Sequence, residues 1–290
     1  MKHIVGFSGG IDSQAALRKV REMFGDENVI ALNSDAGGNE DPLTIDFTAH
    51  FSATVFPVTT VSAINADMWA DGSSKPEEYG LDPNGILDFP GLIARKGMPM
   101  RKRRTCTMVL KLQPQIRWIK EHFGIGGEFE GLDYERYTGV RRDESHKRSA
   151  TPDREWDAYF DCWLNHPIAA WTKEQCFAYC QGEPINPLYS MGFNRVGCAP
   201  CIVSSKEDIA NWQARRPEML AKIAKWEKTI TLPSKTEPGF DWFQHIVPRL
   251  KRNSVEDVID WAQTSRGGRQ SLFPILHERE GCESKYGLCE

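Results

Sequence analysis

The sequence predicts an α/β fold: a parallel twisted sheet with helices on both faces, followed by a helical C-terminal extension. Three observations point there. The chain opens on a short apolar run, His3 to Phe7, which breaks on Ser8-Gly9-Gly10-Ile11-Asp12-Ser13 and continues as a helical stretch from Ser13 to Met23. Two further apolar runs, 28–33 and 53–58, flank a helical stretch at 42–51, and strand alternating with helix at this spacing calls for crossovers and a sheet covered on both faces. Beyond about residue 204 the pattern is helical and mixed in charge. The expected division is residues 1–205 as the sheet domain and 206–290 as a helical extension ending in a cysteine-containing tail.

The first element sets the chemistry. A strand, a tight turn and a helix N-terminus in succession leave amide N–H groups pointing outward with partial positive charge, which suits an anion. Gly9 and Gly10 let a phosphate approach the main chain closely, and Ser8 and Ser13 add hydroxyl donors. A serine–glycine turn alone is weak evidence, but the whole string directly after a strand is specific. It is not a Walker loop, because no Gly-Lys-Ser/Thr follows.

After the second strand comes Asn33-Ser-Asp35-Ala-Gly-Gly-Asn-Glu40, where Asp35 is placed to accept from a ribose hydroxyl, to help hold a metal, or simply to form an Asx turn. Residues 64–104 read as an irregular insertion with short helices. Residues 108–123 read as a helix with Leu110, Ile116, Trp118 and Ile119 as core contacts, although Pro114 disturbs its start. A fourth strand is expected at 128–132, so that the first loop, Asp35 and Asp133 gather at the carboxyl edge of the sheet, where open sheets of this kind bind ligands. In the extension, 209–228 and 255–264 read as helices.

Composition narrows the classes. Lys plus Arg total 36 against 40 Asp plus Glu, a net charge of −4, which argues against a globally basic nucleic-acid binder. Local basic paths exist at 101–104 and at Arg141, Arg142, Lys147 and Arg148. No apolar run approaches the ~20 residues that span a bilayer, and the N-terminus lacks a signal-peptide pattern, so the expectation is a cytoplasmic protein with no membrane partner. Eight cysteines in that compartment point to metal or redox chemistry in preference to disulfides.

Two more constellations carry chemistry. In Gly139-Val-Arg-Arg-Asp-Glu-Ser-His-Lys-Arg148, the guanidinium forks of Arg141, Arg142 and Arg148 match phosphate or sulfate oxygens, while Glu144 and Ser145 could orient a nucleotide or Mg²⁺. In Gly197-Cys198-Ala-Pro-Cys201, two thiolates can hold one tetrahedral ion or two corners of an iron–sulfur cluster. Further ligands must come from elsewhere, with Cys106, Cys282 and Cys289 the candidates. Cys162, Cys176 and Cys180, flanked by apolar and aromatic residues, read as buried small hydrophobes.

These blocks, taken in order with the run from His166-Pro-Ile-Ala-Ala-Trp-Thr-Lys-Glu174 through Asn186-Pro-Leu-Tyr189 to Cys201, resemble the PAPS reductase family of the adenine nucleotide alpha hydrolase superfamily, whose phosphate loop is the PP-loop. The resemblance runs over roughly residues 1–205, with an echo at the C-terminus. It implies an adenine nucleotide as ligand, with Ser8, Gly9, Gly10, Asp12, Ser13, Asp35, Gly139, Arg141 and Arg148 binding it. In adenylylsulfate reductases a tandem cysteine pair and a later C-x-x-C bind a 4Fe-4S cluster. Here Cys106 resembles the first of the pair, Thr107 replaces the second, and Lys111 resembles the lysine beside the cluster. The reductase nucleophile lies in a terminal Glu-Cys-Gly-Leu-His, and on that register Tyr286 stands in its place, where a phenol cannot form the thiosulfonate intermediate.

The Glu144-Ser145 pair, the surviving cluster cysteines and the missing nucleophile are similar to a different branch, the ATP-pyrophosphatase subunits of DNA phosphorothioation systems and phage reductase-like proteins. That resemblance implies ATP and Mg²⁺ at the PP-loop, adenylylation of a substrate (DNA or RNA), loss of pyrophosphate, and displacement by sulfur. Ser8, Asp12, Ser13, Arg141, Arg142 and Glu144 would be the catalytic set. The implied metal group is a 4Fe-4S cluster on Cys106, Cys198, Cys201 and Cys289, with Cys282 the rival fourth ligand and Zn the fallback. Implied partners are a cysteine desulfurase and other sulfur-transfer subunits. Two alternatives stand beside this: a PAPS or APS reductase releasing sulfite, and a nucleotide-binding assembly subunit with a structural cluster.

Overall fold

The computed structural model describes residues 1–243 and 253–264. The expectations placed on Cys282, Tyr286 and Cys289 lie outside the described residues.

The sheet has the order β3-β2-β1-β4-β6-β5, with strands β1 (Lys2–Gly6), β2 (Val29–Ser34), β3 (Val58–Val61), β4 (Tyr134–Tyr137), β5 (Arg154–Asp157) and β6 (Cys162–Asn165). All pairings are parallel except β5 with β6. β1 is central and alternates burial weakly, as a strand covered on both faces should: Ile4 and Val5 face opposite apolar clusters and both exclude solvent. One face is covered by α1 (Ile11–Phe24), α2 (Pro42–Thr54) and α5 (Lys173–Tyr179), whose Leu17, Phe51 and Cys176 share a cluster with Val5. The other carries α4 (Gln113–Phe123), whose Ile116 and Ile119 pack on Ile4 and Leu32.

Several expected elements move. The apolar run 53–58 is not a strand: α2 continues to Thr54, started by Asp41, whose carboxylate accepts the Leu43 N–H, and by Pro42 at its first position. Phe51 and Phe56 are buried there as core residues, and Pro57, which has no N–H for a ladder, delays β3 to Val58. The expected strand at 128–132 is a series of turns with Gly131 at φ 77°, and β4 begins at Tyr134. Asp133 therefore precedes its strand. Its carbonyl accepts the Lys2 N–H at 2.8 Å, which puts it at the amino edge of the sheet, away from the first loop. The hairpin β5–β6 was not signalled, because four-residue strands carry too little alternation to register; its turn places Asp161 at φ 50°.

The helix expected at 108–123 starts as a π-helical turn, Thr107–Leu112, in which the Gln113 N–H reaches back to the Met108 carbonyl. Pro114 supplies no N–H for the regular ladder, and the wider turn absorbs the mismatch. The stretch 209–228 is two helices, α6 (Lys206–Arg215) and α7 (Pro217–Thr229), because Pro217 forces Arg216 out of the helical region (φ −142°, ψ 56°). With α8 (Val255–Gln263), they form one apolar cluster with the insertion: Trp69, Phe89 and Leu92 (the last two from α3, Phe89–Lys96) pack with Trp212, Leu220, Ile223, Trp242 and Val258. Among the described residues no helix is long and apolar enough to cross a membrane.

Candidate functional site

Between β1 and α1, residues Phe7 to Gly10 turn the chain at the carboxyl edge of the sheet. Gly9 has φ 77°, and a Cβ on it would meet Thr44 Cγ2 at 3.1 Å and Thr48 Oγ1 at 3.2 Å. The two serines close the turn across itself. Ser13 Oγ donates to the Gly10 carbonyl at 2.8 Å and accepts the Ser8 N–H at 3.1 Å, with Ser8 Oγ also at 3.1 Å. Gly10 caps α1 without a side-chain bond, so the first helical amides are left to other acceptors; the Ile11 N–H finds the Tyr189 hydroxyl at 3.0 Å.

The segment after β4 lies against this helix end. Gly139 is pressed onto it so closely that a Cβ would sit 2.5 Å from the Asp12 carbonyl carbon and 2.6 Å from the Ser13 nitrogen. Two residues on, Arg141 Nε lies 2.8 Å from Asp12 Oδ1, both side chains almost without solvent, and Arg141 also meets Asp143. Burial pushes the Asp12 carboxyl upward and the Arg141 guanidinium opposes it. The structure thus brings Asp12, Ser13, Gly139 and Arg141 into contact. Arg142 instead donates to the Thr151 carbonyl at 2.8 Å and pairs with Asp153, while buried Arg148 pairs with Glu144. Asp35, at the end of β2, accepts the Gly37 N–H at 3.0 Å and lies 3.4 Å from Ser62 Oγ, an Asx turn holding its own loop.

A second group of residues surrounds a cavity lined by Cys106, Lys111, Cys198 and Cys201, with Arg104 and Arg195 also on its wall. The C-x-x-C is held against the loop after β2: Glu40 and Cys198 form an antiparallel bridge, and the Ala199 N–H donates to the Asn39 carbonyl at 2.9 Å. Burial pushes the Cys106 thiol up to about 12, with Cys198 and Cys201 adding to the shift. Burial also raises Cys198, against the pull of Lys111. Lys111 is fully enclosed, yet despite that burial it is held above its ordinary range by Cys198, Glu40, Cys201 and Cys106. Glu40 itself is pushed by burial to about 7. One buried ammonium offsets a single negative charge, so three thiolates here would need a cationic group among them, and the donor set fits a thiolate-bound metal group. Among the described residues no three His, Cys, Asp or Glu side chains form a ready-made metal site, and the expected fourth thiol lies outside them.

Sequence reasoning assigned no role to the residues that join these parts, although Asn186 stands in the Asn186-Pro-Leu-Tyr189 run. Asn186 Nδ2 donates to the Gly9 carbonyl at 3.2 Å, and Lys222 from α7 donates to the Gly38 carbonyl at 3.1 Å. Beneath the sheet a buried polar chain runs from Arg136 Nη2 to Gln115 Oε1 (2.6 Å), from Gln115 Nε2 to Ser34 Oγ (2.8 Å), and from Ser34 Oγ to the Lys111 carbonyl (2.8 Å). Nothing in a single sequence pairs such residues, which are distant along the chain and of common residue types.

The phosphoadenosine phosphosulfate reductase domain family matches residues 92–204, a span holding Cys106, Lys111, the 139–148 segment and the C-x-x-C. An uncharacterized 37.8 kDa protein of Escherichia phage 186 is 32% identical over 259 residues, covering 83% of this chain and 76% of that protein. The chain belongs to the PAPS reductase family. The adenosine 5′-phosphosulfate reductase of Allochromatium vinosum is 29% identical over 153 residues, 49% of this chain and 54% of that enzyme, so the match spans about half the reductase's length. A solved phosphoadenylyl-sulfate reductase from Candida auris, in a phosphate complex, aligns at a TM-score of 0.44 and 17% identity, covering 68% of this chain and 81% of that one. Within this PAPS reductase-family chain, the matched domain, residues 92–204, begins after the Ser8–Ser13 loop.

Proposed function

We propose that this protein is an adenine-nucleotide enzyme that splits ATP between its α and β phosphates to activate a substrate, DNA or RNA, for sulfur transfer. The observation that carries the nucleotide part is the turn from β1 into α1. It places main-chain amides and a helix N-terminus at the carboxyl edge of a parallel sheet, closed by the Ser8–Ser13 contact and with the first helical turn fixed from behind by Gly139 and Arg141. In this reading a substrate oxygen attacks the α phosphorus, the bond to the bridging oxygen breaks, and pyrophosphate leaves with the electron pair. Loop amides and Ser8 would stabilise the charge that builds on the leaving group. Arg141 acts through Asp12, holding the helix end in register, and Mg²⁺ would accompany the polyphosphate.

A second reading, a sulfonucleotide reductase, is favoured by the relatives named adenosine 5′-phosphosulfate reductase. One assay separates the two. With ATP and Mg²⁺, the first reading expects AMP and pyrophosphate; with adenylylsulfate and thioredoxin, the second expects sulfite. Ser8→Ala should lower pyrophosphate release about 100-fold, as loss of one oxyanion donor does, with an unchanged circular dichroism spectrum. Unchanged turnover would remove the loop from the chemistry.

Cys106, Cys198 and Cys201 would hold a 4Fe-4S cluster with a fourth thiol from the C-terminal segment, and such a cluster would supply a redox-capable centre beside the cavity. Lys111 would offset its negative charge. Protein purified without oxygen should contain iron and absorb near 400 nm, on the order expected for thiolate-bound clusters, and Cys198→Ala should bleach it. Stoichiometric zinc without iron would replace the cluster with a structural zinc site.

A further inference from the structure

The segment from Asn186 to Cys201 touches both strand-end loops. At its start, Asn186 Nδ2 donates to the Gly9 carbonyl (3.2 Å) and to Thr44 Oγ1 (3.1 Å), and the Tyr189 hydroxyl accepts the Ile11 N–H (3.0 Å). At its end, the Ala199 N–H donates to the Asn39 carbonyl (2.9 Å), Asn39 Nδ2 donates to the Pro200 carbonyl (3.2 Å), and Cys198 bridges Glu40. Between the two ends Leu188, Phe193 and Val196 are buried in one apolar cluster, which leaves the segment little slack. The Tyr189 ring packs against this cluster and also against the cluster behind α1, with Phe177 edge-on at 5.1 Å. The segment is a strap with the PP-loop at one end and the C-x-x-C at the other.

Ile11 supplies the first helical amide of α1, one of those that such a helix end offers to an anion. Its acceptor here is the phenol of Tyr189. A phosphoryl oxygen seated on that amide takes the place of the Tyr189 oxygen. We propose that Tyr189 stands in for phosphate on the nucleotide loop and that its displacement, carried along the strap, reports nucleotide occupancy to the thiol cavity. Tyr189 is thus a positioning residue, and Asn186 keeps the Gly9 end of the strap attached while Tyr189 yields. The proposal rests on the nucleotide reading of the PP-loop. Linkage requires the reverse effect as well: whatever group the thiols hold must alter nucleotide affinity by the same factor.

Tyr189→Phe tests this, because it keeps the ring and removes the hydroxyl that accepts the Ile11 N–H. Without its partner the Ile11 N–H gains more from a phosphoryl oxygen, so the variant should bind MgATP about tenfold tighter by calorimetry. Hydrogen exchange, measured on the protein as purified, should show MgATP protecting residues 196–203 in the wild type and not in Tyr189→Phe. A merely structural hydroxyl would move affinity the other way, since its loss would loosen the loop. Binding that is unchanged or weaker in Tyr189→Phe, or remote protection that survives the substitution, overturns the proposal. A wild type that binds no adenylate overturns the loop reading itself and the proposal with it.

Discussion

Asp12 and Arg141 form a charged pair at the first turn of α1. Both are enclosed, and the guanidinium fixes the carboxylate on the first turn of α1, directly behind the amides that face the loop. Removing Arg141 would leave the buried Asp12 carboxylate without its complement, a cost of about 3–5 kcal/mol, and removing Asp12 would leave Arg141 with Asp143 alone, so neither is a clean probe of catalysis. Gly139 is the better probe. A Cβ there would lie 2.5 to 2.6 Å from main-chain atoms of Asp12 and Ser13, which cannot rotate aside. Gly139→Ala should therefore lower stability by about 1–3 kcal/mol in urea unfolding and, by shifting the helix end, weaken adenylate binding more than the stability loss alone accounts for. Equal affinity in a folded Gly139→Ala protein would mean that the loop tolerates displacement. The glycine was visible in the sequence as part of a motif. Its reason, contact with a helix more than a hundred positions away, was not.

At the scale of elements, α7 does more than fill a core. Its Glu227 is buried and accepts the Trp242 N–H at 2.6 Å and the Val255 N–H at 2.8 Å, so one carboxylate joins three stretches of chain and caps the approach to α8. Burial pushes this carboxyl up to about 7, with Asp241 and Glu256 adding to the shift and the two amides opposing it. Because the folded protein holds the proton more tightly than the unfolded chain, stability from this group is greatest at low pH. It declines as pH rises from about 4.5 to about 7, by at most about 3 kcal/mol. Glu227→Gln should flatten that decline in urea midpoints taken across the window; an unchanged slope would place the titration elsewhere. Element boundaries were the least legible part of the sequence. Pro57, Pro114 and Pro217 each displaced an expected boundary, since a missing N–H acts at one position while an apolar pattern extends over many.

For the whole molecule, the sheet and its first crossover were readable because local signals coincide there: an apolar strand, glycines at the turn and a periodic helix within the first two dozen residues. The three thiols around one cavity were readable only as candidates. What brings Cys106 beside Cys198 and Cys201 is a π-helical turn on one side and a bridge to Glu40 on the other, neither of which has a sequence signature. The polar chain from Arg136 to the Lys111 carbonyl was invisible for the same reason: it unites residues from β4, α4, β2 and the π turn.

The apolar cluster shared by the insertion and the last helices has a bearing on biosynthesis. Trp69, Phe89 and Leu92 are translated early, whereas Trp212, Ile223, Trp242 and Val258, which cover them, leave the ribosome more than a hundred residues later. During that interval the nascent chain carries aromatic surface that is only partly covered, a state that invites chaperone capture. The thiol cavity is lined from both batches, by Phe89 and Cys106 on one hand and Trp212 on the other, so its wall is complete only once the second batch has been made.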